Sequence, residues 1–208
     1  MAIGLYIWTL KNRLLYVFLS LLFFGCNNSE NTENIVLHQD ELFTGNLICR
    51  LGNGYFSQYF KEYASTEKVF SHIGILSLEN DKLFVYHSEA SELTGVGYVK
   101  KESLTKFLNG IKTYEYYKLN FSDSISNQII KTVKSYYNKK TPFDMDFDSE
   151  SDDKLYCTEL IASSINKTLN DSIIKPTLNL NGKKLYALDD IYLNEHVTKI
   201  TFGDNSYK

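Results

Sequence analysis

The chain has 208 residues, 43% hydrophobic and 23% charged, with a formal net charge of -3; that is enough to bury one core, and a single domain is the default. Two prolines and 11 glycines beside this apolar content exclude a collagen-like or wholly disordered chain, and the weakly acidic balance excludes a protein that grips nucleic acid through a basic face. Three cysteines are too few for a disulfide-built fold, and an odd count leaves at least one thiol with another task.

Residues 1–25 differ from the rest. Lys11 and Arg13 precede the apolar run Leu14–Phe24, which ends in Gly25 and Cys26. A positive start, a short apolar stretch and a small residue before the cut describe a signal peptide, and the run is shorter than the roughly 20 apolar residues of a spanning helix. Cys26 after the small residue resembles a bacterial lipobox, in which the cysteine is lipidated and becomes the mature N-terminus. Phe23 and Phe24 depart from that pattern. Residues 26–40 follow as the lipidated cysteine and a polar tether, Asn27 to Asn34 offering nothing to bury. No acid directly follows Cys26, so the expected location is the cell envelope, lipid-anchored, at the outer membrane of a two-membrane bacterium. Removing residues 1–25 takes away two basic residues and no acid, so acyl chains rather than charge would hold the domain at a membrane.

Residues 41–208 read as one domain. Leu47 to Leu51 is a short strand after the turn Thr44-Gly45-Asn46. Tyr55, Phe56, Tyr59, Phe60 and Tyr63 recur at helical spacing, which is expected to be core packing. Ser71 to Leu78 and Leu83 to His87 form a hairpin around Glu79-Asn80-Asp81-Lys82. If Leu78 pairs with Leu83, His72 faces Glu89 and His87 lies one diagonal step away on the same sheet face. Strands are expected near Val96–Val99 and Tyr114–Leu119, with a helical turn at Ser103–Leu108 between them. An amphipathic helix follows over Ser122–Lys139, with Ile125, Ile129, Val133 and Tyr136 on one face. An acidic loop, Asp144 to Asp153, leads to a second helix at whose N-terminus Cys157 stands. Val197 to Phe202 closes the domain as a strand. Strands in the middle and helices flanking them give an α+β fold, an antiparallel sheet or partial barrel packed against helices.

The reactive form of cysteine is the thiolate, and helix N-terminal amides and a neighbouring imidazolium both lower a thiol pKa. Cys157 is offered both if the face carrying His72 docks against its helix. A third polar group would fix the imidazole's tautomer and orientation, and His87 and Glu89 are both candidates. The first backbone amides of the helix, that of Cys157 included, are candidate oxyanion donors. A zinc site from His72, His87 and Cys157 lacks any CxxC or HxxxH pair to preform it, and neither metal nor cofactor is expected.

Taken in order, Thr44-Gly45-Asn46-Leu47-Ile48, Ser71-His72-Ile73-Gly74-Ile75, Pro142-Phe143-Asp144 and Tyr156-Cys157-Thr158-Glu159-Leu160 resemble the YiiX-like proteins, circularly permuted members of the NlpC-type papain-like cysteine hydrolases. The resemblance runs from Thr44 to the last strand. It implies a permuted papain-like fold in which Cys157 is the nucleophile and His72 the general base and acid. The family's third polar residue falls on His87, which strand register alone does not separate from Glu89. Tyr156 is expected to shape the substrate pocket, and Asp144 and Glu159 to be structural. Asn46 stands where the family usually has Asp and is expected to keep part of a structural hydrogen bond. Cys49, His38 and His196 match no motif. The implied activity is hydrolysis of an amide, of peptide or peptidoglycan type, through a thioester acyl-enzyme. A lipid acyl hydrolase or acyltransferase, like the lecithin:retinol acyltransferase branch, is an alternative, with a lipid-linked acyl substrate. A non-catalytic binding lipoprotein of the same fold is another. Membrane attachment would run through Cys26, and no nucleic-acid partner is expected.

Overall fold

In the computed structural model, which describes residues 41–202, β-branched and aromatic residues build a six-stranded antiparallel sheet. Its strands are β1 (Leu47–Leu51), β2 (His72–Glu79), β3 (Lys82–Ala90), β4 (Gly97–Ser103), β5 (Thr113–Leu119) and β8 (Val197–Lys199), in the order β4-β3-β2-β1-β5-β8. A separate hairpin pairs β6 (Leu178–Leu180) with β7 (Lys183–Leu185). The helices are α1 (Tyr55–Lys61), α2 (Leu104–Phe107), α3 (Asp123–Asn138), α4 (Cys157–Leu169) and α5 (Asp189–Tyr192). No helix among the described residues is long and apolar enough to cross a membrane. The signal segment, Cys26, the tether and His38 lie outside the described residues.

Alternation sorts the sheet into two faces. Leu47 pairs with Ile75 and Cys49 with Ile73, and these four join Tyr86, Ile129, Val133, Leu160, Ile161 and Ile165 in one core beneath α3 and α4. Burial of each such side chain contributes about 1.5–3 kcal/mol. Ser122 caps α3, its Oγ accepting from Ile125 N at 3.4 Å. Asn170, in the left-handed conformation at φ 51°, closes α4. The opposite face of β1 and β2 carries Ile48 and Arg50, which pair with Gly74 and His72, and the buried ring of Phe107 from α2 lies there against Arg50, His72 and His87.

The β2–β3 hairpin has the expected register, from Glu79↔Lys82 through Leu78↔Leu83 to Ile75↔Tyr86. Its turn residues Asn80 and Asp81 have φ of 50° and 59°, the two positive values of a tight hairpin turn. The ladder ends at Ile75, however, so His72 pairs with Arg50 of β1 and does not stand opposite Glu89 in a ladder. Gly74 marks the change. A Cβ there would lie 2.4 Å from a Val85 methyl and 3.2 Å from the Tyr86 carbonyl oxygen, so only glycine lets β3 come this close. Asn46 makes the structural bond expected of it: its Oδ1 accepts from Phe43 N at 2.7 Å.

Candidate active site

The first residue of α4 is Cys157, and the following turns bury Leu160, Ile161, Ala162 and Ile165 in the core. The start of this helix is pinned on several sides. Glu159 Oε2 accepts from the backbone N–H of Tyr156 at 3.3 Å, Thr158 Oγ1 donates to the Tyr186 carbonyl at 2.7 Å, and Tyr186 N donates to Tyr156 Oη at 2.8 Å. A cysteine fixed this way cannot slide with the frayed end that helices usually show.

Cys157 lines a cavity of about 420 Å³ together with His72 and Tyr156. The backbone N–H groups of Ile73 and Thr158 bond to its sulfur and favour the thiolate, but burial outweighs them and pushes the thiol up to about 11. The lowered thiol expected from the helix dipole is therefore corrected: desolvation dominates. Burial likewise holds His72 well below the usual imidazole value, with Glu89 only partly opposing it. Burial thus favours the neutral form of both groups, the thiol of Cys157 and the imidazole of His72.

Two polar side chains stand next to His72, and they differ in how they meet it. His72 Nε2 lies 2.8 Å from His87 Nδ1, a hydrogen bond between two rings at 85° to one another. His87 is fully buried. Glu89 Oε1 is 4.0 Å from His72 Nε2 and instead accepts from Arg50 Nη2 at 2.6 Å, while its Oε2 meets Lys100 Nζ at 2.6 Å. Burial would raise the Glu89 carboxyl, but the two imidazoles, Lys100 and Arg50 carry it down to about 2. Arg50 is itself held over the Phe107 ring, 4.1 Å from the centroid, and donates to the Phe107 carbonyl.

The sequence placed the aromatic residues of α1 in the core, and the structure corrects this. The helix buries none of its residues, Tyr55, Phe56 and Tyr59 are exposed, and Phe56, Tyr59, Phe60 and Tyr63 line the cavity. Phe147 links this wall to the site, its ring 5.7 Å from Phe60 and 5.3 Å from Tyr156. Its φ is 48°, a left-handed conformation costing about 1–2 kcal/mol for a bulky residue, and one that tends to cluster at functional sites. The β6–β7 hairpin adds Leu178, Leu180 and Leu185. Asp144 and Glu159 act as the sequence implied, as structural acids: Asp144 accepts from Asp146 N at 3.0 Å and Asp148 N at 2.5 Å.

A family model described as permuted papain-like amidase enzymes of the YaeF/YiiX, C92 family matches residues 43–199. A solved crystal structure, described as that of the metalloprotein yiiX from Escherichia coli O157:H7, is similar with a TM-score of 0.62 and 17% sequence identity, over 76% of this chain and 96% of that one. No curated protein matches the chain significantly.

Proposed function

The chain belongs to the YaeF/YiiX, C92 family of permuted papain-like amidases, and on that premise we propose that Cys157 is the nucleophile, and His72 the proton carrier, of an amidase that works through a thioester. A papain-like cysteine hydrolase is the family's coarse activity; the particular bond and mechanism are our own reading. The observation that carries it is the shared cavity: Cys157 and His72 open onto one space, and His72 is braced from behind by His87.

In this mechanism His72 takes the Cys157 proton as the sulfur attacks the amide carbonyl carbon. The tetrahedral oxyanion forms beside the first amides of α4. His72 returns the proton to the departing amine as the C–N bond breaks, leaving a thioester on Cys157. Water, deprotonated by His72, then attacks the thioester, and the acid leaves as the thiol is restored. With Nε2 engaged by His87, Nδ1 is the nitrogen of His72 left for this traffic.

The E. coli neighbour is described as a metalloprotein. Among the described residues here, His72, His87 and Glu89 have possible donor atoms within 4.8 Å of one another. They do not fit an ion: the two imidazoles bond each other, and Glu89 already holds Arg50 and Lys100, whose charges would oppose another cation. No step is routed through a metal.

For substrate we favour a peptide or peptidoglycan-type amide. The aromatic and aliphatic walls of the cavity support a second reading, a lipid-linked acyl group. The enzyme would sit in the cell envelope, anchored through a lipidated Cys26. Incubation with muropeptides and with phospholipid, followed by mass spectrometry of the Cys157 peptide, separates the two by the adduct formed. Hydrolysis by the parent and none by Cys157→Ala supports the mechanism; equal activity removes it and leaves a binding lipoprotein.

A further inference from the structure

Glu102 of β4 belongs to none of the motifs, yet it stands directly behind the two histidines. The β3–β4 register pairs His87 with Lys100 and Val85 with Glu102, which sets Lys100 opposite His87 and Glu102 one diagonal step away. His87 is fully buried, and its Nε2 is sealed from solvent without an aligned hydrogen bond. The atom facing it is Glu102 Oε2, at 3.5 Å. The other oxygen, Oε1, meets Lys106 Nζ at 2.9 Å and Lys100 Nζ at 3.6 Å. An imidazole nitrogen sealed in this way is costly unless paired, and a few tenths of an ångström of side-chain movement converts the contact into a hydrogen bond.

We propose that Glu102 is the outer positioning residue of this site: its carboxylate accepts the Nε2 hydrogen of His87 and, through His87, fixes which nitrogen of His72 is bare toward Cys157. The proposal rests on the hydrolase reading for its consequence but not for its geometry. An ionised carboxylate can only accept. His87 must then carry its hydrogen on Nε2 and present Nδ1 as a lone pair. That lone pair accepts from His72 Nε2–H across the 2.8 Å contact, so the hydrogen of neutral His72 is on Nε2 and its Nδ1 is free to take a proton. If His87 held its hydrogen on Nδ1, it would donate to His72 Nε2. His72 would then be protonated on Nδ1, the nitrogen that has to receive the thiol proton. A single charge at position 102 thus sets the direction of the whole row.

The charges around the row agree with this assignment. The His87 contact, Lys106 and Lys100 outweigh burial and hold the Glu102 carboxyl far below the usual carboxylate range, so it is ionised. Glu89, on the other side, is occupied by Arg50 and Lys100. Once His72 accepts a proton, its Nε2–H bond to His87 is strengthened by the carboxylate beyond, which favours the imidazolium during attack.

Two-bond 1H–15N correlation spectra of the full chain read the tautomers directly. In the parent, both His72 and His87 are expected to carry hydrogen on Nε2. In Glu102→Gln, whose amide can donate as well as accept, His87 is expected to show mixed tautomers. Alkylation of Cys157 by iodoacetamide, followed on its peptide, should slow about ten- to a hundredfold, a part of the roughly 10²–10⁴ that a positioned base supplies. Glu102→Asp restores the Nε2–H form. Lys106→Ala, which strips one of the two cations at Oε1 and leaves Lys100 and the Oε2 contact with His87 in place, leaves tautomers and alkylation unchanged. A parent with hydrogen on Nδ1 of His87 overturns the proposal without any variant. Unchanged tautomers and alkylation in Glu102→Gln, or equal slowing in Lys106→Ala, overturn it as well. Failure of the hydrolase reading is separate: it appears as no Cys157-dependent hydrolysis in a parent that still shows the Nε2–H tautomers.

Discussion

His72 and His87 meet nitrogen to nitrogen at 2.8 Å, ring edge against ring face, while Glu89 stays 4.0 Å from the same nitrogen and turns to Arg50. The two candidates for the third position therefore predict different mutants. His87→Gln, which keeps a polar group in the slot, should lower kcat by about 10²-fold or more, because His72 loses its orienting acceptor. Glu89→Gln should cost less than tenfold. Turnover of both, with thermal melting to confirm folding, checks this; a larger loss in Glu89→Gln assigns the role to Glu89.

Because burial carries the Cys157 thiol up to about 11, its reactivity should climb late with pH. The alkylation rate at the Cys157 peptide is expected to inflect well above the value of about 8.5 typical of a free cysteine. An inflection below pH 8 would show a preformed thiolate–imidazolium pair. On the acid side, the proposed mechanism needs a neutral His72 as base, and burial lowers its pKa. Turnover should thus persist below pH 6.5, where an ordinary histidine is already half protonated.

Glu159 is buried at the root of α4, and that burial, with Asp144, Asp152 and Asp148 adding to it, raises its carboxyl from 4.5 to about 9. The folded state therefore keeps a proton that the unfolded chain releases above about pH 4.5. The contribution of this group to stability is complete below that pH and is lost as pH rises toward 9. Glu159→Gln removes the titration while keeping an oxygen for the Tyr156 N–H. Its melting temperature should match the parent near pH 4 and exceed it at pH 8. A parent advantage at pH 8 would show that the carboxylate is ionised and satisfied.

The α1 wall makes a prediction about binding rather than chemistry. Phe56 and Phe60 line the cavity from a helix that buries none of its own residues, so Phe56→Ala and Phe60→Ala should raise KM for an apolar substrate several-fold with little change in kcat. Melting temperatures should move little. A fall in kcat at unchanged KM would place these rings in the reacting geometry instead.

Much of this architecture is legible in the sequence because local and long-range signals agree there. Leu78 and Leu83 around a polar turn determine the β2–β3 register, and the spacing of Ile125, Ile129 and Val133 defines α3. Cys157 opens its helix as the acidic loop before it implies. Other features depend on tertiary contact. Periodicity cannot tell a helix face that meets a core from one that meets a cavity, so Phe56 and Phe60 look like packing residues. Asn181 and Gly182, with φ of 54° and 85°, turn the β6–β7 hairpin, an Asn-Gly signal present in the sequence but obscured by the shortness of the flanking strands. The loop before β4 hides which residue faces His87, so Glu102 emerges only from three-dimensional register. The thiol pKa depends on a contest between dipole and desolvation, and no string of residues reports how deeply a sulfur is sunk.

The sulfur of position 157 rides on the same helix whose following turns hold the molecule together through Leu160, Ile161 and Ile165. Trimming Ile165 to alanine, at a cost of about 2–5 kcal/mol, would loosen the foundation and misaim the proposed nucleophile at once. Scans of α4 for inactive variants will accordingly return structural casualties alongside chemical ones. The supports contributed by β3 and β4 stand on separate elements, where damage to the chemistry can be isolated from damage to the scaffold.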